Sequence, residues 1–130
     1  MGVNQAASGF YLSSGEVEAF TWLSRETSPT DVVLASPQTG NLIPAWAGNR
    51  VYYGHPFETV AADVKLKRLQ TFFAGAMSPE EGKTFLRQAG VTYVYFGERE
   101  RQMGQLDPTN EPYLSPSFSK GTVRILRVTP

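Results

Sequence analysis

The sequence predicts an α/β fold: a three-layer Rossmann-like/flavodoxin-like sandwich, with a mostly parallel sheet of about five strands and a C-terminal antiparallel hairpin. Two apolar runs, residues 32–35 and 91–96, indicate central strands that bury both of their faces. Helical patterns with capping residues separate these runs, which is typical of parallel strands joined by crossover helices. We predict a single α/β domain over residues 13–130, preceded by a flexible segment or an expression-derived start at residues 1–12.

Composition and charge exclude several classes of function. Twelve basic residues balance twelve acidic ones in a chain of 130 residues, so nucleic acid is not an expected partner. The chain has no cysteine, which excludes disulfides, thiolate metal sites and cysteine nucleophiles. No apolar run reaches the roughly 20 residues that a membrane span requires, and residues 1–8 lack the features of a signal peptide.

One helix is predicted before the strand at residues 32–36, and a second helix is predicted after it. A capping box of Ser13 and Glu16 opens the first helix, which is expected to end near residues 25–27. Thr39 is predicted to cap the second helix, which runs through residue 47. Pro44 should shorten this helix or delay its start, because proline is best tolerated in the first helical turn.

Two further helices are predicted between a strand at residues 50–53 and the strand at residues 91–96. The third helix covers residues 60–73, and its cations are interpreted as a solvated side: Lys65, Lys67 and Arg68. Ser78 and Pro79 open the fourth helix, and Gly90 is expected to close it in the left-handed conformation.

The strand order follows from right-handed crossovers. Residues 32–36 and 91–96 should be adjacent and parallel at the centre, with residues 50–53 outside the first of them. Residues 98–101 start a polar segment, and three prolines within residues 107–116 predict a long surface loop. The last two strands should form a hairpin around residues 119–121 and pair antiparallel on the other side.

Motifs for nucleotide binding and serine hydrolysis are absent. The chain has no Gly-x-Gly-x-x-Gly, no Walker sequence and no Gly-x-Ser-x-Gly elbow, so no cofactor is expected. Gly40 alone is interpreted as a turn residue. His55 is the only histidine, and Glu58 follows three residues later, but no further metal ligands can be identified. We therefore interpret His55 as a turn or cap residue and predict no metal site.

Several segments together resemble one family: residues 36–45, 48–55, 58–59, 90–97 and 99–101. They resemble the soluble C-terminal extracytoplasmic domain that follows the transmembrane helices in large bacterial polytopic membrane proteins of the GT-C glycosyltransferase type. The opening capping-box helix and the closing strand pair match as well, so the resemblance covers nearly the whole chain.

The resemblance implies a role without catalysis in this chain. Proteins of this type take sugar from a polyprenyl-phosphate donor and carry their acidic catalytic residues in loops between membrane helices, and no residue here matches those acids. The resemblance thus implies a non-catalytic accessory domain that shapes or covers an acceptor or donor site, on the periplasmic or cell-surface side of an integral membrane protein. Its implied partners are the transmembrane part of its own parent chain and a glycan or lipid-linked sugar.

Two other functions remain open from the residues. The chain could be a freestanding, flavodoxin-like binder of a small ligand that uses the loops at the strand ends. It could also be a purely structural domain that docks onto the membrane part or onto a partner chain.

The candidate ligand site lies where the three parallel strands end, since ligands of open α/β sheets bind outside the carboxyl edge. Three loops leave this edge, at residues 36–41, 54–58 and 97–101. They carry the predicted ligand-binding residues: Gln38, Thr39, Asn41, His55, Glu58 and Arg99. Their hydroxyl, amide, imidazole and guanidinium groups suit a sugar or a phosphate-bearing acceptor. Alternatively, Arg99 pairs with Glu58 and ties the loops together, and residues 98–101 are plain solvated charges.

Overall fold

A five-stranded mixed sheet with helices on both of its faces forms the domain. The computed structural model describes residues 12–54 and 61–129. In chain order the elements are α1 (Ser14–Glu26), β1 (Val32–Leu34), α2 (Pro37–Ala47), β2 (Arg50–Val51), α3 (Ala62–Phe73), α4 (Pro79–Gln88), β3 (Tyr93–Phe96), α5 (Glu98–Arg101), β4 (Leu114–Lys120) and β5 (Val123–Val128).

The strand order of the sheet is β2-β1-β3-β5-β4. β1 is parallel to both of its neighbours, and Val33 lies opposite Tyr93 in β3. β5 runs antiparallel to β3 and to β4. The predicted central pair, the outer position of β2 and the antiparallel hairpin are confirmed. The sheet is nevertheless mixed rather than mostly parallel, because two of its four pairings are antiparallel.

The hydrophobic core has two parts, one on each face of the sheet. On one face, Phe20 and Leu23 of α1 and Ile43 of α2 pack against alternate residues of the central strands, which are Val33, Tyr95 and Ile125. On the other face, Leu69 and Phe72 of α3 and Phe85 of α4 cover the intervening strand residues, which are Leu34, Val94 and Leu126. All four residues of β3 are buried, as the sequence predicted for a central strand.

The capping boxes predicted for α1 and α4 are both present. In α1, Ser13 Oγ accepts from the Glu16 N–H at 3.2 Å, and the Glu16 carboxylate accepts from the Ser13 N–H at 3.0 Å. Ser78 and Glu81 repeat this arrangement in α4. Gly90 follows α4 with a φ of +70°, which confirms its predicted left-handed conformation.

The prediction for α2 was wrong at its start. The helix is capped by Ser36, three residues before Thr39, and Pro37 occupies its first turn. Pro44 lies inside the helix and neither shortens it nor delays its start. Its ring faces solvent, so the missing N–H breaks one helical hydrogen bond without a steric conflict in the core. Gly40 is part of this helix and is not a turn residue.

The segment predicted as a long loop contains regular structure. The residues Glu98–Arg101 form the short helix α5, and Pro108–Asn110 form a turn of 3₁₀ helix. β4 begins at Leu114 and includes Pro116. Because β4 lies at the edge of the sheet and its register shifts between Pro116 and Phe118, the proline's missing N–H interrupts no central ladder.

The predictions for the chain start fall almost wholly outside the described residues. Of residues 1–12 only Leu12 is described, and its side chain is buried against the α1 face of the sheet. Within residues 12–54 and 61–129, none of the helices is long and apolar enough to cross a membrane.

Candidate functional site

The candidate site lies at the edge where β1 and β3 end side by side. The chain continues from β1 into α2, which covers one face of the sheet, and α3 and α4 on the other face lead from β2 to β3. The strand order therefore reverses at β1, with β2 on one side and β3 on the other. Open α/β sheets usually bind their ligand in the crevice at such a reversal.

In this chain the crevice is bridged by the carboxylate of Glu100. One of its oxygens accepts from the backbone N–H of Ser36, after β1, at 2.9 Å. The other accepts from the backbone N–H of Gly97, after β3, also at 2.9 Å. The residue is 1% exposed. The backbone donors that would face an anionic ligand here are thus already bonded to the chain's own carboxylate.

Glu100 corrects the interpretation of residues 98–101 as plain solvated charges. The bond between Glu100 and the Gly97 N–H could have been predicted from the sequence, because these residues have the spacing of an N-cap and the glutamate of a capping box. What the sequence did not indicate was the second bond to Ser36, which joins residues 64 positions apart.

Of the predicted ligand-binding residues on α2, two are available to a ligand and one is not. Gln38 and Asn41 are exposed on the first turns of the helix. Thr39 is fully buried, its N–H donates to Ser36 Oγ at 3.3 Å, and its hydroxyl accepts from that group at 3.1 Å. Thr39 therefore supports the cap of α2 and presents no group to a ligand.

Arg99 lies at the same edge but forms an ion pair with Glu16 of α1. The side chains are 18% and 15% exposed, so the pair is largely shielded from solvent. Since Glu16 also accepts from the Ser13 N–H, this pair ties the start of α1 to α5. His55 and Glu58 lie outside the described residues, and so does the alternative pairing of Arg99 with Glu58.

A buried tyrosine lies beneath these charges. Tyr95 is fully buried in β3, packs against Phe20 at 5.7 Å between ring centroids, and has no hydrogen-bond partner for its hydroxyl in the described ranges. Burial raises the pKa of this hydroxyl well above its ordinary value, the carboxylates of Glu16 and Glu100 raise it further, and Arg99 partly opposes them. Tyr95 therefore stays neutral.

The charged groups at this edge do not assemble a metal site. Across the described parts of the chain there is no group of three or more histidine, aspartate or glutamate side chains placed to hold an ion. The groups that this edge exposes to a ligand are the amides of Gln38 and Asn41. They lie next to the hydrogen bonds of Glu100 and the shielded ion pair of Arg99 and Glu16.

The Arg99–Glu16 pair should contribute measurably to stability. In a double-mutant cycle with Arg99→Ala and Glu16→Gln, we expect a coupling energy of about 1 kcal/mol, because the pair is better shielded than an exposed one. Glutamine preserves the capping box at position 16, so the cycle isolates the charge. Urea unfolding of the four proteins measures the coupling, and additive effects would contradict a contribution from the pair.

The fold and this edge define a mixed α/β domain whose crevice is closed by a carboxylate of its own chain. The chain belongs to a family of unknown function (DUF6541), which matches residues 2–129. It is similar in fold to the C-terminal globular domain of an oligosaccharyltransferase from Archaeoglobus fulgidus, known from a crystal structure. The two are 19% identical with a TM-score of 0.69, over 91% of this chain and 99% of the archaeal one. No curated protein matches the chain.

Proposed function

We propose that this chain is a non-catalytic accessory domain of a membrane glycosyltransferase-like protein of the GT-C type, where it shapes or covers an acceptor or donor site. The observation that carries the proposal is the fold similarity to an oligosaccharyltransferase domain over 99% of that domain's length. Its location would be the periplasmic or cell-surface side of the membrane. Its partners would be the transmembrane part of its own parent chain and a glycan or lipid-linked sugar.

The bridged crevice favours this role over a freestanding, flavodoxin-like ligand binder. We infer that the parallel part of the sheet is Rossmann-like, because helices cover both faces and the strand order reverses at β1. A binder of that class leaves backbone N–H groups open to its ligand. Here Glu100 bonds to the N–H groups of Ser36 and Gly97, so an anionic ligand would have to displace a buried carboxylate.

The exposed residues of α2 are the groups through which the domain would act. Gln38 and Asn41 project from the edge without being part of the core, so they can contact an acceptor or the membrane part. Their replacement would leave the Glu100 bridge intact. A functional effect of these residues can therefore be separated from an effect on folding.

Sugar transfer by the full-length parent protein tests the proposal. Replacing residues 13–129 by a flexible linker should reduce transfer from a polyprenyl-phosphate sugar donor at least tenfold, while the protein still inserts into the membrane. The isolated chain should show no transfer, because the donor requires a site at the membrane. Transfer by the isolated chain, or full activity after the replacement, would contradict the proposal.

A finer test uses the double variant Gln38→Ala/Asn41→Ala in the full-length protein. We expect reduced transfer together with an unchanged melting temperature of the isolated domain, since both side chains are exposed. Thr122→Ala, an exposed change in the β4–β5 turn, serves as the matched control and should leave transfer unchanged.

A further inference from the structure

A second candidate site lies between α1 and the edge strand β4. It is a surface cavity of about 420 Å³, within the roughly 300–1,000 Å³ that is typical of small-molecule sites. Its lining shares no residue with the Glu100 network: Glu18, Thr21, Trp22, Arg25, Glu26 and Phe118. Five of these residues lie on one face of α1, and Phe118 is contributed by β4.

Two aromatic rings form the apolar part of this cavity. Trp22 and Phe118 are partly exposed, and their ring centroids lie 6.0 Å apart at an angle of 41°. Trp22 also packs edge-on against the buried Tyr93, with the centroids 5.8 Å apart. These contacts hold the indole in place and leave part of it open to a ligand, so no reorganisation is needed before binding.

Polar side chains surround the two rings. Thr21 donates its hydroxyl hydrogen to the Val17 carbonyl at 2.8 Å, which leaves its oxygen free to accept. Glu18 forms an exposed ion pair with Lys120 at 3.3 Å. Arg25 and Glu26 are exposed, and within the described residues their side chains form neither an ion pair nor a hydrogen bond.

The charges and rings of the cavity restrict the class of its ligand. Glu18 is paired with Lys120, and the charges of Arg25 and Glu26 balance, so the cavity has no net positive charge to attract phosphates or nucleic acids. A purely apolar ligand would desolvate these charged groups without hydrogen-bonding to them. A neutral molecule with many hydroxyl groups satisfies both conditions, because its hydroxyls bond to carboxylates and guanidinium while its C–H faces pack on aromatic rings.

We propose that the cavity between α1 and β4 binds neutral glycans, with Trp22 and Phe118 as the stacking surface and Arg25 and Glu26 as hydrogen-bonding groups. This proposal goes beyond the accessory role, because a glycan site on α1 does not depend on a parent enzyme. It is tested on the isolated chain and can fail while the accessory role holds, or the reverse.

Intrinsic fluorescence provides the test, since the chain has two tryptophans, Trp22 and Trp46. Trp46→Phe removes the other indole, which is 56% exposed on α2, and leaves Trp22 as the only reporter. Titration of this variant with the neutral trisaccharides maltotriose and mannotriose should give a saturable change, with a dissociation constant on the order of 1 mM. In NMR spectra the indole N–H of Trp22 should shift along the same curve.

Variants in the cavity establish whether the response comes from this site. In the Trp46→Phe background, Phe118→Ala should weaken binding at least fivefold. Should that variant fail to fold, Glu26→Ala and Arg25→Ala change exposed side chains only and should weaken binding by a similar factor. The matched control is Glu98→Ala, an exposed change on α5, which should bind as the parent does.

Three results would overturn the proposal. The first is no saturable change with either trisaccharide up to its solubility limit. The second is binding of a phosphorylated sugar without binding of the neutral ones, which would indicate an anion site. The third is a Trp22 signal that depends on protein concentration in the absence of sugar, which would mark the surface as an interface between copies of the chain.

Discussion

Gly40→Ala is expected to lower the free energy of unfolding by roughly 3 kcal/mol, although alanine is the better helix former by about 1 kcal/mol. Gly40 lies in α2, where an added Cβ would be 2.1 Å from the carbonyl oxygen of Tyr53. This oxygen belongs to the backbone just after β2 and cannot rotate away as a side chain could. The helix would have to move off the sheet, which would disturb the packing of Ile43.

The neighbouring residue supplies the control for this prediction. Asn41 is exposed on the same helix, so Asn41→Ala should change the free energy of unfolding by less than about 0.5 kcal/mol. Urea unfolding followed by far-UV circular dichroism measures the free energy of unfolding of both variants. The comparison requires that the slope of this free energy against urea concentration is the same for the variants and the parent. A Gly40→Ala variant as stable as the parent would show that α2 does not need its close approach to the sheet.

Glu100→Ala is expected to destabilise the domain by roughly 3–5 kcal/mol, because it leaves two buried N–H groups without an acceptor and opens a cavity. These donors are the backbone N–H groups of Ser36 and Gly97, each 2.9 Å from a carboxylate oxygen. Glu100→Gln keeps one acceptor oxygen and turns an amide NH₂ towards the other donor. We therefore expect about half the loss for glutamine.

Two measurements link this loss to the bridge and not to general disruption. Glu98→Gln, an exposed change on the same helix, should alter stability by less than about 0.5 kcal/mol. Added acetate or formate should partly restore the melting temperature of Glu100→Ala, because a small carboxylate can occupy the vacated position between the two N–H groups. Equal stability of the alanine variant and the parent protein would refute the bridge.

Much of the domain was predictable from local signals in the sequence. The capping boxes at Ser13 and Ser78, the left-handed Gly90 and the fully apolar strand β3 are each determined by residues within a few positions of one another. The strand order followed as well, since helices between apolar strands restrict the possible connections. These features depend on propensity and periodicity, which a sequence carries directly.

The errors at α2 had two different origins. The helix is capped by Ser36 and not by Thr39, and the signal for this was local, because Ser36 and Pro37 form the same kind of start as Ser78 and Pro79. The bond from the Ser36 N–H to Glu100, in contrast, joins distant residues. Glycine is typical of turns, but Gly40 lies in α2, where its lack of a side chain lets the helix pack closely against the backbone of Tyr53. A single sequence contains no signal for either contact, because the partners are separated by many residues.

The candidate edge shows the same division. The order of strands and helices predicts that Gln38, Asn41 and Arg99 follow parallel strands and lie at one edge of the sheet. In the structure these residues lie on the first turns of α2 and α5 and not on loops. The bridge of Glu100 across the crevice and the pairing of Glu16 with Arg99 are visible in the folded chain alone. A carboxylate is charged, so sequence patterns predict that it is solvated wherever it stands in the chain. It becomes a buried acceptor only when the fold brings unpaired N–H groups within hydrogen-bonding distance.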